Sequence, residues 1–134
     1  MQIHHHPLSG AGVGVTRQVT RLHFGASGGR RALLQASLHA DEIPPMLVAQ
    51  QLRGRLTELE AQGRLRGEIV LLPACNPIGL SQQVWGRMQG RYELASGQNF
   101  TRLYADLAAR AAELVSLGDA PAENLARLRA ALHQ

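Results

Sequence analysis

The segment His39-Ala40-Asp41-Glu42 has the residue types and the spacing that metal binding requires. An imidazole and a carboxylate three residues apart face the same way on a helical turn. Such a pair suits Zn²⁺, which in catalytic sites commonly takes two histidines, one glutamate and a water. A structural interpretation is also open, in which His39 is a hydrogen-bonded loop residue and Glu42 favours the dipole of a helix N-terminus.

Two further polar segments follow along the chain. The segment 73–79 has the turn pattern N-P-x-G, and its Cys75 is interpreted as a small buried hydrophobe because no thiolate-stabilising partner is evident. In the segment 90–102, Arg91 and Arg102 flank a predicted helix start. One guanidinium could hold a carboxylate and the other an oxyanion, or both could be ordinary surface charges.

The first two of these segments follow predicted strands. A first strand is predicted over 15–24, after an irregular segment over 1–14. The near-continuous apolar run over 32–38 predicts a strand covered on both faces, and the run within 68–74 predicts a second buried strand. The histidine run His4-His5-His6 is expected to be a chain terminus near a sheet edge.

A helix is predicted between the two buried strands, from Pro44-Pro45 to a glycine cap at Gly63. Its expected core face has helical spacing and comprises Val48, Leu52, Leu56 and Leu59. Strand, helix and strand form a βαβ unit, so the predicted fold class is α/β with a parallel or mixed sheet flanked by helices. With about three strands, such a sheet keeps an exposed edge that predicts association, including homo-oligomers.

The C-terminal half is predicted to be a long loop over 76–98 followed by two helices. The first helix has an apolar stripe that runs from Phe100 to Leu114 and is expected to end near Gly118. The second helix is expected to be capped by Asp119 and to have one apolar face, which is formed by Leu125, Leu128 and Leu132.

Composition excludes several classes of protein. The chain has 134 residues, of which 45% are hydrophobic and 18% charged, so it is predicted to fold as one globular domain. The net charge of +4 is spread along the sequence and aromatic residues are only 4%, so we expect no nucleic-acid partner. No apolar run approaches the roughly 20 residues of a membrane span, and the single cysteine forms no internal disulfide. A cytoplasmic location without membrane contact is therefore expected.

In their order along the chain, these segments resemble the zinc carboxypeptidase-like superfamily. H-x-x-E after one strand, N-P-x-G after the next, then an arginine and an N-F-x-R segment are most similar to its succinylglutamate desuccinylase/aspartoacylase branch. The resemblance covers roughly Leu22 to Leu132 and is most specific over Ser37 to Glu42. It implies that residues 15–134 form the N-terminal part of a zinc-hydrolase catalytic domain that deacylates N-acyl amino acids.

The resemblance also implies roles for individual residues. His39 and Glu42 match two of the three zinc ligands of the family. Arg91 matches the arginine that polarises the scissile carbonyl, and Arg102 matches the arginine that grips the substrate carboxylate. The rest of the substrate-binding segment is Asn99 and Thr101. The family usually has asparagine where this chain has Thr101, whose hydroxyl offers one hydrogen-bond donor rather than two.

The third zinc ligand of the family is a histidine on a later strand, and its general-base glutamate comes later still. His133 follows a helical stripe rather than a strand, so it is not taken as that ligand. We therefore expect a truncated and inactive portion of a zinc-dependent amide hydrolase. Two alternatives remain: a non-catalytic metal-binding or interaction module of the same fold, and a purely structural α/β domain.

Overall fold

The computed structural model describes residues 1–10, 12–102, 104, 106–114 and 120–132. The chain divides into two compact units, Met1–Arg102 and Leu103–Gln134. The first unit contains the sheet and every residue of the candidate site. The second contains two helices.

A four-stranded mixed sheet forms the centre of the first unit. Its strands are β1 (Gln2–Pro7), β2 (Gln18–Gly25), β3 (Arg31–Gln35) and β4 (Glu68–Leu72), in the spatial order β1-β2-β4-β3. The pairs β1–β2 and β2–β4 are antiparallel, whereas the pair β3–β4 is parallel. The predicted α/β class with a parallel or mixed sheet is thereby confirmed.

Strand β1 lies within the segment that was expected to be irregular. The run His4-His5-His6 pairs with Arg21, Thr20 and Val19 of β2, at the edge of the sheet. The prediction of an irregular segment over 1–14 is therefore wrong for Gln2–Pro7, whereas the expected position near a sheet edge is confirmed. This strand is mostly polar and exposed, as suits a strand at the edge of a sheet, so a search for apolar patterns does not detect it.

Strand β3 differs from its prediction in burial. The apolar run over 32–38 predicted a strand covered on both faces, yet all five residues of Arg31–Gln35 are exposed. Leu33 is 62% exposed and Leu34 is 38% exposed. Strand β3 is an edge strand of the sheet, although its apolar composition is typical of a central strand.

The connection between β3 and β4 contains the long helix α1 (Ile43–Ala61). It starts beside Pro44-Pro45 as predicted, because proline needs no hydrogen-bond partner in the first turn. Gly63, at φ +66°, follows its C-terminus, where a left-handed residue lets the chain leave the helix. Ala49 and Leu56 are buried, whereas Val48 is 58% exposed and lines an apolar cavity together with Leu52. The predicted face of α1 therefore turns towards the sheet, but Val48 is not buried in the core.

The core lies between α1 and one face of the sheet. It comprises Leu22, Phe24, Ala36, Ala49, Leu56 and Leu71. An apolar cavity of about 410 Å³ continues from this core between β3 and α1, lined among others by Leu34, Val48 and Leu52. It lies outside the candidate site.

The predicted loop over 76–98 contains short elements. Helix α2 (Pro77–Leu80) is followed by a hairpin of β5 (Gln83–Val84) and β6 (Arg87–Met88), and an isolated bridge joins Tyr92 to Asn99. Trp85 and Gly86 turn the hairpin with positive φ at both positions, as a tight two-residue turn requires.

The second unit contains α3 (Leu107–Leu114) and α4 (Pro121–Leu132). Helix α3 starts later than the predicted stripe, because the Asp106 side chain accepts a hydrogen bond from the Ala109 N–H and caps the helix there. Phe100 lies in a turn instead. The predicted helix end near Gly118, the cap at Asp119 and His133 lie outside the described residues. In the part of the chain that the structure describes, no helix is long and apolar enough to cross a membrane.

Candidate functional site

The site lies where the parallel strands β3 and β4 end. Beyond these ends, the Ala36 N–H donates to the Leu72 carbonyl at 3.0 Å, and the Cys75 N–H donates to the Ala36 carbonyl at 3.0 Å. The two chain segments therefore stay side by side past the last strand residues. Side chains that follow them emerge at one edge of the sheet, the usual place for ligand sites in open α/β sheets.

The N-P-x-G segment joins these two strand ends. Asn76 is 5% exposed, and its Nδ2 donates to the Leu38 carbonyl at 2.7 Å. Its Oδ1 accepts from the Gly79 N–H at 2.9 Å and so caps α2. The asparagine is thus a cap, as the turn interpretation predicted, and it also fixes the residue that precedes His39.

Cys75 does not point to covalent chemistry. Its thiol donates to the Ala36 carbonyl, at 2.9 Å from Sγ, and burial raises the pKa of the thiol above its usual value. A nucleophilic cysteine needs the opposite shift of the pKa. The interpretation of Cys75 as a structural residue therefore agrees with its surroundings.

The loop that holds Arg91 packs directly on the turn that holds His39. The Ala40 N–H donates to the Gly90 carbonyl at 2.8 Å. A Cβ placed on Gly90 would stand 2.1 Å from the Asp41 nitrogen, a distance that no side chain can occupy. Glycine at position 90 therefore permits the contact that brings Arg91 to the strand ends.

His39 and Glu42 converge on one cation, the guanidinium of Arg91. The Arg91 Nη1 donates to His39 Nδ1 at 2.7 Å, and its Nη2 donates to Glu42 Oε1 at 2.9 Å. The acceptor atoms, Nδ1 and Oε1, are themselves 3.2 Å apart. The Arg91 Nε also lies 3.6 Å from Oδ2 of Asp41. The arrangement therefore places two donor groups of the metal-binding pattern around a single positive charge.

The hydrogen bonds define the tautomer of His39. Guanidinium groups only donate, so Nδ1 must be the unprotonated nitrogen that accepts from Arg91. In the neutral ring the proton is then on Nε2, which lies 2.8 Å from Oδ1 of Asn99 and 2.7 Å from Oγ1 of Thr101. The unprotonated nitrogen therefore lies on the side of Arg91 and Glu42, and the N–H lies on the side of Asn99 and Thr101.

The predicted substrate-binding residues surround His39. Asn99 and Thr101 contact its Nε2, and Oδ1 of Asn99 also accepts from the Thr101 N–H at 2.9 Å. Arg102 is exposed, and its Nη1 donates to the Thr101 carbonyl at 2.9 Å and to the Thr101 hydroxyl at 2.7 Å. The structure thus brings all six predicted site residues together. It places Asn99 and Thr101 on the imidazole, where they orient it.

The charge of Glu42 is held by its neighbours. The hydrogen bond from Arg91 is the largest cause that lowers the pKa of the Glu42 carboxyl below its ordinary value. Glu42 is also the residue that precedes α1, as the alternative interpretation expected, but its side chain makes no capping hydrogen bond. Its carboxylate is directed to Arg91 instead, which favours the interpretation as a cation site.

The donor pair fits part of a zinc site. An unprotonated imidazole nitrogen beside a carboxylate oxygen is a donor set that Zn²⁺ prefers, and Arg91 shows that a cation is held between them. Across the described residues, no group of three or more histidine, cysteine, aspartate or glutamate side chains is arranged to hold a metal ion. Among the described residues, this pair therefore offers two of the three protein ligands that a catalytic zinc site usually has.

Sequence reasoning missed two positioning residues, Ser37 and Gln82. Ser37 has φ +54°, which is unusual for a residue other than glycine, and its hydroxyl donates to the Glu42 carbonyl at 2.7 Å. Gln82 donates to the carbonyls of Gln89 and Tyr92, on both sides of Arg91. A buried glutamine in a Gly-rich loop offers no recognisable sequence signal, because its value depends on which backbone groups surround it.

A mixed sheet with a histidine–glutamate pair at its strand ends defines an α/β domain with a candidate cation site. The profile of the Succinylglutamate desuccinylase/Aspartoacylase catalytic domain matches residues 28–133. The chain therefore belongs to the succinylglutamate desuccinylase/aspartoacylase family, as the sequence motifs predicted. No curated protein matches the chain.

Two solved structures of this family share the fold. One, a succinylglutamate desuccinylase/aspartoacylase family protein from Shewanella amazonensis SB2B, is 22% identical over 98% of this chain, with a TM-score of 0.68. The other, a succinylglutamate desuccinylase/aspartoacylase from Shewanella frigidimarina NCIMB 400, is also 22% identical over 98% of the chain, with a TM-score of 0.66. The chain spans 43% of the first protein and 35% of the second.

Proposed function

We propose that this chain forms the first part of the active site of a zinc-dependent amide hydrolase that deacylates N-acyl amino acids. The observation that carries the proposal is the convergence of His39 Nδ1 and Glu42 Oε1 on one cation. Membership of the succinylglutamate desuccinylase/aspartoacylase family, which is generally zinc-dependent, supports both the metal and the deacylase reaction. Zinc would act there as a Lewis acid that polarises the amide carbonyl and lowers the pKa of water.

The residues of this chain have separate tasks in that reaction. His39 and Glu42 would hold the metal, and Asn99 keeps Nδ1 of His39 unprotonated by accepting a hydrogen bond from Nε2–H. Arg91 is close enough to the donor pair to stabilise charge that develops on the carbonyl oxygen. Arg102, which is exposed at the rim of this group, would bind the carboxylate of the amino-acid part.

We further propose that the 134 residues by themselves turn over little or no substrate. Two protein ligands hold Zn²⁺ loosely, and none of the described side chains is placed as a third. The relatives of known structure have more than twice the length of this chain, so the whole active site is proposed to draw on further residues.

The single unpaired cysteine, Cys75, is consistent with the proposed cytoplasmic location.

The test is an assay of the purified chain on a panel of N-acyl amino acids with added Zn²⁺. We expect the wild type to bind zinc but to turn over little or no substrate, and we expect His39→Ala to lose zinc binding. Arg55→Ala, which removes an exposed arginine of α1, is the matched control and should bind zinc as the wild type does. If His39→Ala and wild type bind zinc equally, the metal proposal is wrong.

A second candidate function is a non-catalytic metal-binding module. It is favoured by the contacts of Asn99 and Thr101, which are directed to His39 rather than to open space. Turnover that depends on both His39 and Arg91 would exclude this candidate. Zinc binding with no turnover, even when the remaining part of a family member is supplied in trans, would support it.

A further inference from the structure

Arg91 occupies the position that a metal ion would need. Its two terminal nitrogens contact the donor atoms of the candidate zinc ligands, at 2.7 Å from His39 Nδ1 and 2.9 Å from Glu42 Oε1. The planar fork of a guanidinium can bridge two such acceptors, which a single ammonium cannot do in the same way. The positive charge of Arg91 therefore lies where the positive charge of Zn²⁺ is expected.

The two cations exclude each other at His39. A neutral imidazole has one lone pair on its unprotonated nitrogen, and the Arg91 N–H is directed at that lone pair. A metal ligand lies about 2.0–2.1 Å from zinc, so a bound ion would fill the space that the guanidinium uses. Zinc can thus bind at Nδ1 only after the Arg91 side chain has moved away.

The backbone around Arg91 is fixed, so this movement concerns the side chain. The Phe100 N–H donates to the Arg91 carbonyl at 3.1 Å, and the preceding Gly90 carbonyl accepts from the Ala40 N–H at 2.8 Å. The Arg91 side chain is 42% exposed, so solvent borders it. A long side chain with a fixed base and contact with solvent can change rotamer without a change of the loop.

We propose that Arg91 is a resident cation of the metal-free protein, which a divalent metal must displace. In that state Arg91 holds His39 and Glu42 together and compensates the negative charges of Glu42 and Asp41. With the metal bound, the guanidinium of Arg91 would be available for a carbonyl oxygen at the same site. The inference rests on the proposed zinc function and adds that Arg91 competes with the metal, so its removal strengthens metal binding.

Calorimetric titration with Zn²⁺ of wild type and of Arg91→Met tests the competition. Methionine keeps an unbranched side chain but donates no hydrogen bond, so we expect Arg91→Met to bind zinc about tenfold more tightly than wild type. Arg55→Met removes one exposed arginine elsewhere and should leave the zinc affinity unchanged. Equal or weaker binding by Arg91→Met would overturn the proposal.

Ionic strength separates displacement from the loss of a distant charge. The titrations are repeated at about 0.5 M NaCl, where the Debye length falls to about 4 Å and through-space repulsion is largely screened. The difference between Arg91→Met and wild type should persist there, because it reflects occupation of the donor atoms. A difference that disappears in salt would show that Arg91 acts only through its long-range charge, which contradicts displacement.

Two further variants keep the outcomes distinct. His39→Ala combined with Arg91→Met should bind no zinc at this site, which shows that the tighter binding uses His39. Arg91→Lys retains a positive charge without the fork and should bind zinc with intermediate affinity, provided that its thermal unfolding matches wild type. If neither wild type nor Arg91→Met binds zinc, the zinc function and the competition both fail. If both bind equally, the competition alone fails.

Discussion

Gly90 and Ala40 meet backbone to backbone, with the Ala40 N–H donating to the Gly90 carbonyl at 2.8 Å. This contact joins the loop of Arg91 to the turn of His39, two segments that are distant in the sequence. A Cβ at position 90 would also meet the Ala40 carbonyl carbon at 2.6 Å. The geometry of the candidate site therefore depends on a residue that has no side chain and takes no part in chemistry.

Replacement of Gly90 by alanine is expected to destabilise the protein and to separate Arg91 from His39. The added methyl would collide with backbone rather than with a flexible side chain, and overpacking of this kind costs about 1–3 kcal/mol. Urea unfolding followed by circular dichroism measures the loss. Gly54→Ala is the matched control, because nothing lies within 4 Å of its added Cβ and alanine favours the helix α1. Equal stability of Gly90→Ala and wild type would contradict the close contact.

Asn99 is expected to act on metal affinity through His39. Asn99→Ala removes an acceptor of the Nε2 proton, and the loss of such an outer partner typically lowers metal affinity about 10–100-fold. Because the Thr101 hydroxyl also lies near Nε2, the full effect is expected in the double variant with Thr101→Val. Zinc titration measures it, with Asn99→Asp, which retains the acceptor, as the conservative variant. Gln98→Ala, on the neighbouring exposed residue, should have no effect.

Glu68 should make the stability of the sheet depend on acid pH. The hydrogen bond from Arg31 is the largest cause that lowers the pKa of Glu68 in the folded protein, and Arg31 Nε lies 2.8 Å from its Oε2. A carboxyl whose pKa is lowered in the folded protein adds stability at pH values above its ordinary pKa of 4.5. This stability is lost as the pH falls through the lowered pKa of the folded protein. Above pH 4.5, Glu68→Gln is therefore expected to unfold at a lower temperature than wild type.

The comparison is made between about pH 3 and about pH 6, a range that includes the ordinary glutamate pKa of 4.5. The difference in melting temperature between wild type and Glu68→Gln should shrink towards the acid end of the range. Glu58→Gln, which removes an exposed carboxylate from α1, is the control and should shift the melting temperature little at any pH. A difference that stays constant with pH would show that Glu68 is not held ionised by Arg31.

The exposed edge of β3 is expected to cause self-association of the chain. Leu33 and Leu34 are exposed on this edge strand, and the exposed Val48 of α1 lines the same apolar cavity as Leu34. A second copy could add its own β3 and cover both surfaces by one two-fold interface. Analytical ultracentrifugation should show dimers of wild type at micromolar concentration and mainly monomers of Leu33→Lys. Val13→Lys, at an exposed residue outside the sheet, should leave the association unchanged.

The parts of the fold that could be predicted from sequence depend on local signals. Pro44-Pro45 and Gly63 mark both ends of α1, and the apolar runs in β3 and β4 indicate the parallel pair on which the site stands. His39 and Glu42 could be related because their spacing is short and both follow a strand. These inferences need neither the rest of the chain nor its packing.

The remaining features depend on contacts between distant segments. Nothing local distinguishes β3 at an edge from β3 in the centre of a sheet, because its apolar composition is the same in both positions. Asn99 contacts His39 from a position that is held by its bridge to Tyr92. This bridge closes a loop at the end of the segment over 76–98, for which no strand pairing was predicted. Such hydrogen bonds depend on the three-dimensional position of backbone groups that a linear pattern does not contain.

The position of β4 has a consequence for biosynthesis. This strand lies between β2 and β3 in the sheet, although it follows both of them in the chain. Strand β2 can already pair with β1, but β3 has no neighbour in the sheet until β4 has been made, so the nascent chain carries β3 unpaired while α1 is being synthesised. The sheet therefore closes only after the last of its four strands has been synthesised.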